Sequence, residues 1–115
     1  FANQVNNALI FPGVFRGALD VQARTITQDM CWAAARALAQ ISRENLRADA
    51  ILPPLTHPHV APSVARAVAE SAMAGNVSRR EVNPEEVFEN TRKICTKTEK
   101  IMKMFLSEGW FPALD

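Results

Sequence analysis

The 115 residues contain no tyrosine, only two cysteines and only four glycines. Without Tyr, the chain has no phenol for acid–base work. Cys31 and Cys95 cannot make the disulfide framework of a small secreted domain. Both fall in helical patterns and read as reduced, partly buried thiols. Gly13, Gly17, Gly75 and Gly109 are spaced too widely for the Gly-x-Gly-x-x-Gly turn of a dinucleotide fold, and no Gly-x-x-x-x-Gly-Lys phosphate loop occurs. No apolar run, Ala8-Leu9-Ile10-Phe11 included, approaches the length of a membrane span. Neither sign of charge dominates: thirteen basic and twelve acidic residues leave a net charge of +1, with no general pull toward nucleic acid or acidic membranes. The chain opens Phe1-Ala2-Asn3, without Met and without a basic stretch leading into an apolar one. These features predict a cytoplasmic (or organelle-matrix) protein and suggest a piece of a longer chain.

What is present is ordinary for a globular domain, with 48% apolar and 22% charged residues. A chain of this length can bury about two-thirds of the surface that it exposes when unfolded. One unit spanning 1–115 is therefore expected, mainly α, with about four helices and at most one short strand. Pro12 suits the start of a first helix, with Val14, Phe15, Ala18, Leu19 and Val21 as its apolar face. Ala8–Phe11 before it reads either as a lead-in or as a buried strand, because periodicity cannot decide over so few residues. Thr27 caps a second helix on which Met30, Ala34, Leu38 and Ile41 recur at helical spacing. Pro53-Pro54 interrupts, and a third helix begins near His59 to Ala61, with Pro62 in its first turn and Gly75 or Asn76 at its end. Asn83-Pro84-Glu85-Glu86 starts a long fourth helix over 83–108. Val87, Phe88, Ile94, Cys95, Ile101, Met102, Phe105 and Leu106 form its stripe; Gly109 stops it, and Trp110-Phe111-Pro112 is expected to fold back.

Few motifs carry chemistry. His57 and His59 flank Pro58, but two ligands fall short of a zinc site, so an ordinary polar loop is the expectation. Gly13-x-x-x-Gly17 suits close helix packing, or a helix lying against a ligand. Lys93, Lys97 and Lys100 share one helix face that reads as solvated. Gln4-Val5-Asn6-Asn7 sets two carboxamides side by side, and each can both donate and accept, so together they can hold a hydroxyl and a carboxylate. Taken alone, an Asn-Asn pair is most often a turn.

The run from Gln4-Val5-Asn6-Asn7 through Phe11-Pro12-Gly13-Val14-Phe15-Arg16-Gly17-Ala18-Leu19-Asp20-Val21 is similar to the signature of bacterial-type malic enzymes. The likeness continues through Thr27 to Ala39, Pro53-Pro54, His59 to Ala65, and Ala69 to Met73; from Asn83 onward only a generic C-terminal helix is legible. The resemblance implies the C-terminal portion of a Rossmann-like NAD(P)-binding domain, whose parent oxidises and decarboxylates malate to pyruvate and carbon dioxide. It implies NAD or NADP and a divalent metal (Mg or Mn) in that parent, and no cofactor bound to this chain alone. Asn6 and Asn7 match the family's substrate-binding pair, and Asn6 would also lie against the nicotinamide ribose. The family's catalytic Tyr and Lys, its metal ligands and its Gly-rich turn have no counterpart here, so no catalytic residue is expected in this chain and no turnover from it alone. The partners implied are malate, the rest of the same polypeptide and further copies of the protein, with neither nucleic acid nor membrane. Helices built to cover a sheet would leave apolar faces open, so the isolated chain is expected to self-associate. The rival reading is a free-standing helical interaction module that binds through the fourth helix.

Overall fold

The computed structural model describes residues 7–110. After a 3₁₀ turn at Asn7–Leu9 come α1 (Phe11–Asp20), α2 (Gln28–Ser42), α3 (Val60–Ala74) and α4 (Pro84–Ser107), with a second 3₁₀ turn at Arg43–Asn45. The only extended pairing among the described residues is an isolated antiparallel bridge between Arg47 and Ala50. Ala8–Phe11 is therefore helical lead-in, and the strand alternative falls away.

α3 is the centre, with α1, α2 and α4 each packed against it. Its small and β-branched residues explain why three helices can approach it. Val64, Ala65, Val68, Ala69 and Ala72 are completely buried, and Pro62 is buried in the first turn. Leu9, Val14 and Val21 close over it from the α1 side, Met30 and Ala34 from α2, and Val87 from α4. Gly13 and Gly17 set the α1–α3 distance. A Cβ on Gly13 would stand 2.7 Å from Val64 Cβ, and one on Gly17 would overlap the Ala65 carbonyl oxygen. Close packing of helices is thus the role of the Gly-x-x-x-Gly spacing.

Local chemistry explains where the helices start. The Thr27 hydroxyl accepts from the Met30 N–H at 3.2 Å, while the Met30 thioether accepts from the Thr27 N–H at 3.4 Å. A sulfur thus stands where a capping box ordinarily has Glu or Gln. The Asn83 side chain accepts from the Glu85 N–H at 3.0 Å, with Pro84 opening α4. α1 has Pro12 in its first turn, where the missing N–H costs nothing, and no side-chain cap.

Three helices end in one geometry, the Schellman motif. At α1, the Ala23 N–H reaches the Ala18 carbonyl and the Gln22 N–H reaches that of Leu19. At α3, Val77 and Asn76 do the same to Ala72 and Met73, and at α4 Trp110 and Gly109 do so to Phe105 and Leu106. The left-handed residue each motif requires is Gln22 (φ 51°), Asn76 (φ 57°) and Gly109 (φ 76°). The apolar contact that accompanies the motif joins Trp110 to Phe105, ring centroids 6.2 Å apart.

Two expectations are corrected. Cys31 and Cys95 are both free, and both are exposed rather than partly buried. On α4 only the first turns of the apolar stripe are covered: Val87 and Thr91 are buried, whereas Ile94, Ile101, Met102 and Leu106 are exposed. The reason is length, since 24 residues of α4 rise about 36 Å while the fifteen of α3 rise about 22 Å. Trp110 caps α4 yet remains 71% exposed, and Phe111 and Pro112 lie outside the described residues. Thr91 takes a core position that the pattern of apolar residues does not mark; its hydroxyl donates to the Val87 carbonyl at 2.7 Å.

Candidate functional site

Asn6 lies outside the described residues, whereas Asn7 opens the first 3₁₀ turn. Its carbonyl accepts from the Ile10 N–H at 3.0 Å, and the Ile10 carbonyl accepts in turn from the Val14 N–H at 3.1 Å. One tight turn thus leads straight into α1, anchored by the buried Leu9, and leaves the Asn7 side chain exposed. An exposed carboxamide now stands just ahead of a helix start that has no side-chain cap. The amino end of a helix carries partial positive charge and favours an anion, so amide and helix end together suit a carboxylate.

Beside this junction, Ile10, Leu38 and Leu52 help to line an apolar depression of about 370 Å³. On the same helix Phe11, Phe15 and Leu19 stand outward, 47%, 51% and 64% exposed, with the two phenyl rings stacked at 5.5 Å. They lie on the side of α1 opposite Gly13 and Gly17, as spacings of four residues require. Arg16 and Asp20 pair at 2.6 Å along the helix.

A wider groove of about 1080 Å³ runs between α2, α3 and the start of α4, and Asn7 does not line it. Part of its polar wall is self-paired. Arg66 lies 4.8 Å from the Phe88 ring centroid and 3.3 Å from the Glu85 carboxylate. The His59 N–H donates to His57 Nδ1 at 3.2 Å, and the two imidazole rings meet edge-on at 5.8 Å. The histidines therefore shape the start of α3. Among the described residues no three His, Cys, Asp or Glu side chains converge to hold a metal. Lys93, Lys97 and Lys100 are all exposed. Near them, the Arg92 guanidinium hydrogen-bonds the exposed Glu89 carboxylate at 3.0 Å and holds it below its usual range.

The family model described as "Malic enzyme, NAD binding domain" matches residues 1–73, well over half of the chain. This chain belongs to that family. Among its relatives is the bifunctional malic/malolactic enzyme of Bacillus subtilis, 53% identical over 95 residues, an alignment covering 82% of this chain and 23% of that protein. Malic enzymes named for NAD and others named for NADP both occur among the relatives. Two solved structures share the fold. The malic enzyme of Pyrococcus horikoshii superposes with a TM-score of 0.85 at 44% identity, covering 94% of this chain and 25% of that one. That of Entamoeba histolytica gives 0.92 at 32% identity, covering 97% and 24%. The chain thus spans about a quarter or less of the proteins it matches. Coverage of 97% necessarily takes in α4, which sequence pattern alone left generic; a helix shared with whole malic enzymes does not favour the free-standing interaction module. In fold class the chain is a mainly helical portion of this family, as its sequence led us to expect.

Proposed function

We propose that this chain supplies one wall of the substrate site in an NAD- or NADP-dependent malic enzyme. Asn7, with Asn6 before it, hydrogen-bonds the carboxylate or hydroxyl of malate. The observation that carries this reading is the position of Asn7: exposed, on a turn held at 3.0 Å by its own carbonyl, immediately ahead of the bare amino end of α1. Its task is positioning, since an oriented hydroxy acid presents its reacting carbon along a fixed line. In the whole enzyme, the chemistry a bound nicotinamide would supply is that of a hydride acceptor. This chain offers that cofactor no phosphate turn, because Gly13 and Gly17 are packed on α3 while Gly75 and Gly109 end helices. Contact with the nicotinamide ribose is proposed for Asn6 alone.

Among the described residues no set of side chains fits a divalent metal. The metal requirement, turnover, homo-oligomeric assembly and cytoplasmic or organelle-matrix location are proposed for the whole protein. We propose no turnover for the 115 residues alone; the absence of Tyr supports this. The test is kinetic. In the intact enzyme, Asn7→Ala should raise the malate KM or lower kcat by roughly tenfold or more, the size expected for a lost charge-assisted hydrogen bond. Unchanged kinetics would remove Asn7 from the site.

A further inference from the structure

The face that α4 buries does not stop where its cover does. Val87 and Thr91 are buried, and Ile94, Thr98, Ile101 and Phe105 continue the same face at spacings of three, four, three and four. That alternation is the heptad repeat by which one helix seats against another. The Phe88 ring lies beside that of His59, centroids 6.2 Å apart, so α4 is already level with the start of α3 there. Residues 94–107 therefore run on past the core as an arm, about 20 Å of helix rise. Ile94, Ile101, Met102, Met104 and Leu106 are exposed along it.

The far side of the arm is complete in itself, with Glu99 and Lys103 paired at 3.1 Å away from Ile94 and Ile101. What the seam lacks is a helix of matching repeat. Among the described residues α4 is the one helix whose repeat runs on past the core, so a second α4 is the partner that the spacing specifies. The body of the fold decides the direction. A parallel partner would have to lie along Val87 and Thr91, where α3 already lies. An antiparallel partner meets the arm alone, and a two-fold axis then makes the contact self-complementary. With Ile94 of one copy opposite Phe105 of the other, Thr98 faces Ile101 and Cys95 stands beside Met102. Methionine side chains suit such a seam because they adapt to uneven surface. Two arms together cover roughly 1,000 Å², the lower end for a specific interface, so the pair should come apart on dilution.

We propose that residues 94–107 pair antiparallel with the same segment of a second copy of this chain. The contact is separate from the apolar line of α1, and it stands whether or not Asn7 contacts malate.

Sedimentation equilibrium tests it on the 115-residue chain carrying Phe15→Ser/Leu19→Ser, which silences the α1 line. A species of twice 12.7 kDa that dissociates on dilution is expected. Ile94→Ser/Ile101→Ser should weaken it roughly tenfold or more with the helical circular dichroism retained, since both side chains lie outside the core. Oxidation by diamide reads the direction. In Cys31→Ser only Cys95 remains, and antiparallel arms hold the two Cys95 thiols about 13 Å apart along the axis, so no covalent dimer should form. Adding Met102→Cys should produce one, because position 95 of each arm then meets position 102 of the other. Within a single helix those positions lie about 10 Å apart, too far for a disulfide. A link through Cys95 alone, or association that Ile94→Ser/Ile101→Ser leaves unchanged, overturns the proposal. So does a monomer at every concentration, which would assign the seam to a partner other than a second copy.

Discussion

Gly17 on α1 lies directly against the backbone carbonyl of Ala65 on α3, with no room for a methyl group between them. A backbone oxygen cannot swing aside as a side chain can, so Gly17→Ala must push the two helices apart. Alanine favours a helix over glycine by about 1 kcal/mol, which partly offsets the clash. Overpacking costs about 1–3 kcal/mol, more when backbone must move, and the separation also loosens Val64 and Val68. The clash should win: a net loss of about 2 kcal/mol is expected, lowering Tm by roughly 8 °C. Thermal denaturation followed by circular dichroism measures it, and a Tm equal to or above the parent's would show that α1 and α3 do not touch there.

Those glycines were legible as a close-packing motif because a four-residue spacing places both on one helix face. The same logic exposed the buried side of α3, where Val64, Val68 and Ala72 recur in step. Thr27 and Asn83 announced their helices because capping is local chemistry. The end of α1 was not legible, since Gln22 occupies a left-handed position that glycine or asparagine would have advertised. The exposed half of α4 escaped for another reason. An apolar stripe shows that a face can be covered, and its length relative to α3 decides how much of it is. At the candidate site, the Asn pair was visible as two amides. That one of them stands before an uncapped helix end is a fact of three dimensions.

Gln22 gives a second test. Its φ of 51° costs an L-residue about 1 kcal/mol, a strain that glycine does not feel. Gln22 is exposed and its backbone bond to the Leu19 carbonyl does not depend on its side chain. Gln22→Gly should therefore stabilise the chain by about 1 kcal/mol, raising Tm by roughly 4 °C. Gly109→Ala should do the reverse at α4, where the added Cβ meets no neighbour and only the φ of 76° opposes it. Opposite shifts in the two variants are the expected pair, and shifts of the same sign would break the account of these helix ends.

Phe11, Phe15 and Leu19 form an exposed apolar line along α1, and Trp32 on α2 is 56% exposed as well. Apolar surface of this kind drives association when nothing covers it. The 115-residue chain should self-associate at high concentration, with light scattering giving a mass above 12.7 kDa. Phe15→Ser/Leu19→Ser should shift it toward monomer without loss of helix, because both side chains face away from α3. A monomer at every concentration, or a variant that associates as the parent does, would count against this face as the contact.

Asn7→Asp separates the two things that Asn7 can do. A carboxylate ahead of α1 interacts favourably with the helix's amino end, by about 0.3–1 kcal/mol, so the variant should be as stable as the parent or slightly more so. A bound hydroxy acid would meet that new negative charge at hydrogen-bonding distance. In the intact enzyme the malate KM of Asn7→Asp should therefore rise above that of Asn7→Ala, roughly fivefold further, as one unfavourable charge contact of about 1 kcal/mol requires. The comparison matters because a merely structural Asn7 predicts the opposite order, with Asp the better replacement in both stability and kinetics. Should Asn7→Asp bind malate as well as Asn7→Ala or better, the carboxamide does not face the substrate's carboxylate, however suitably it is placed.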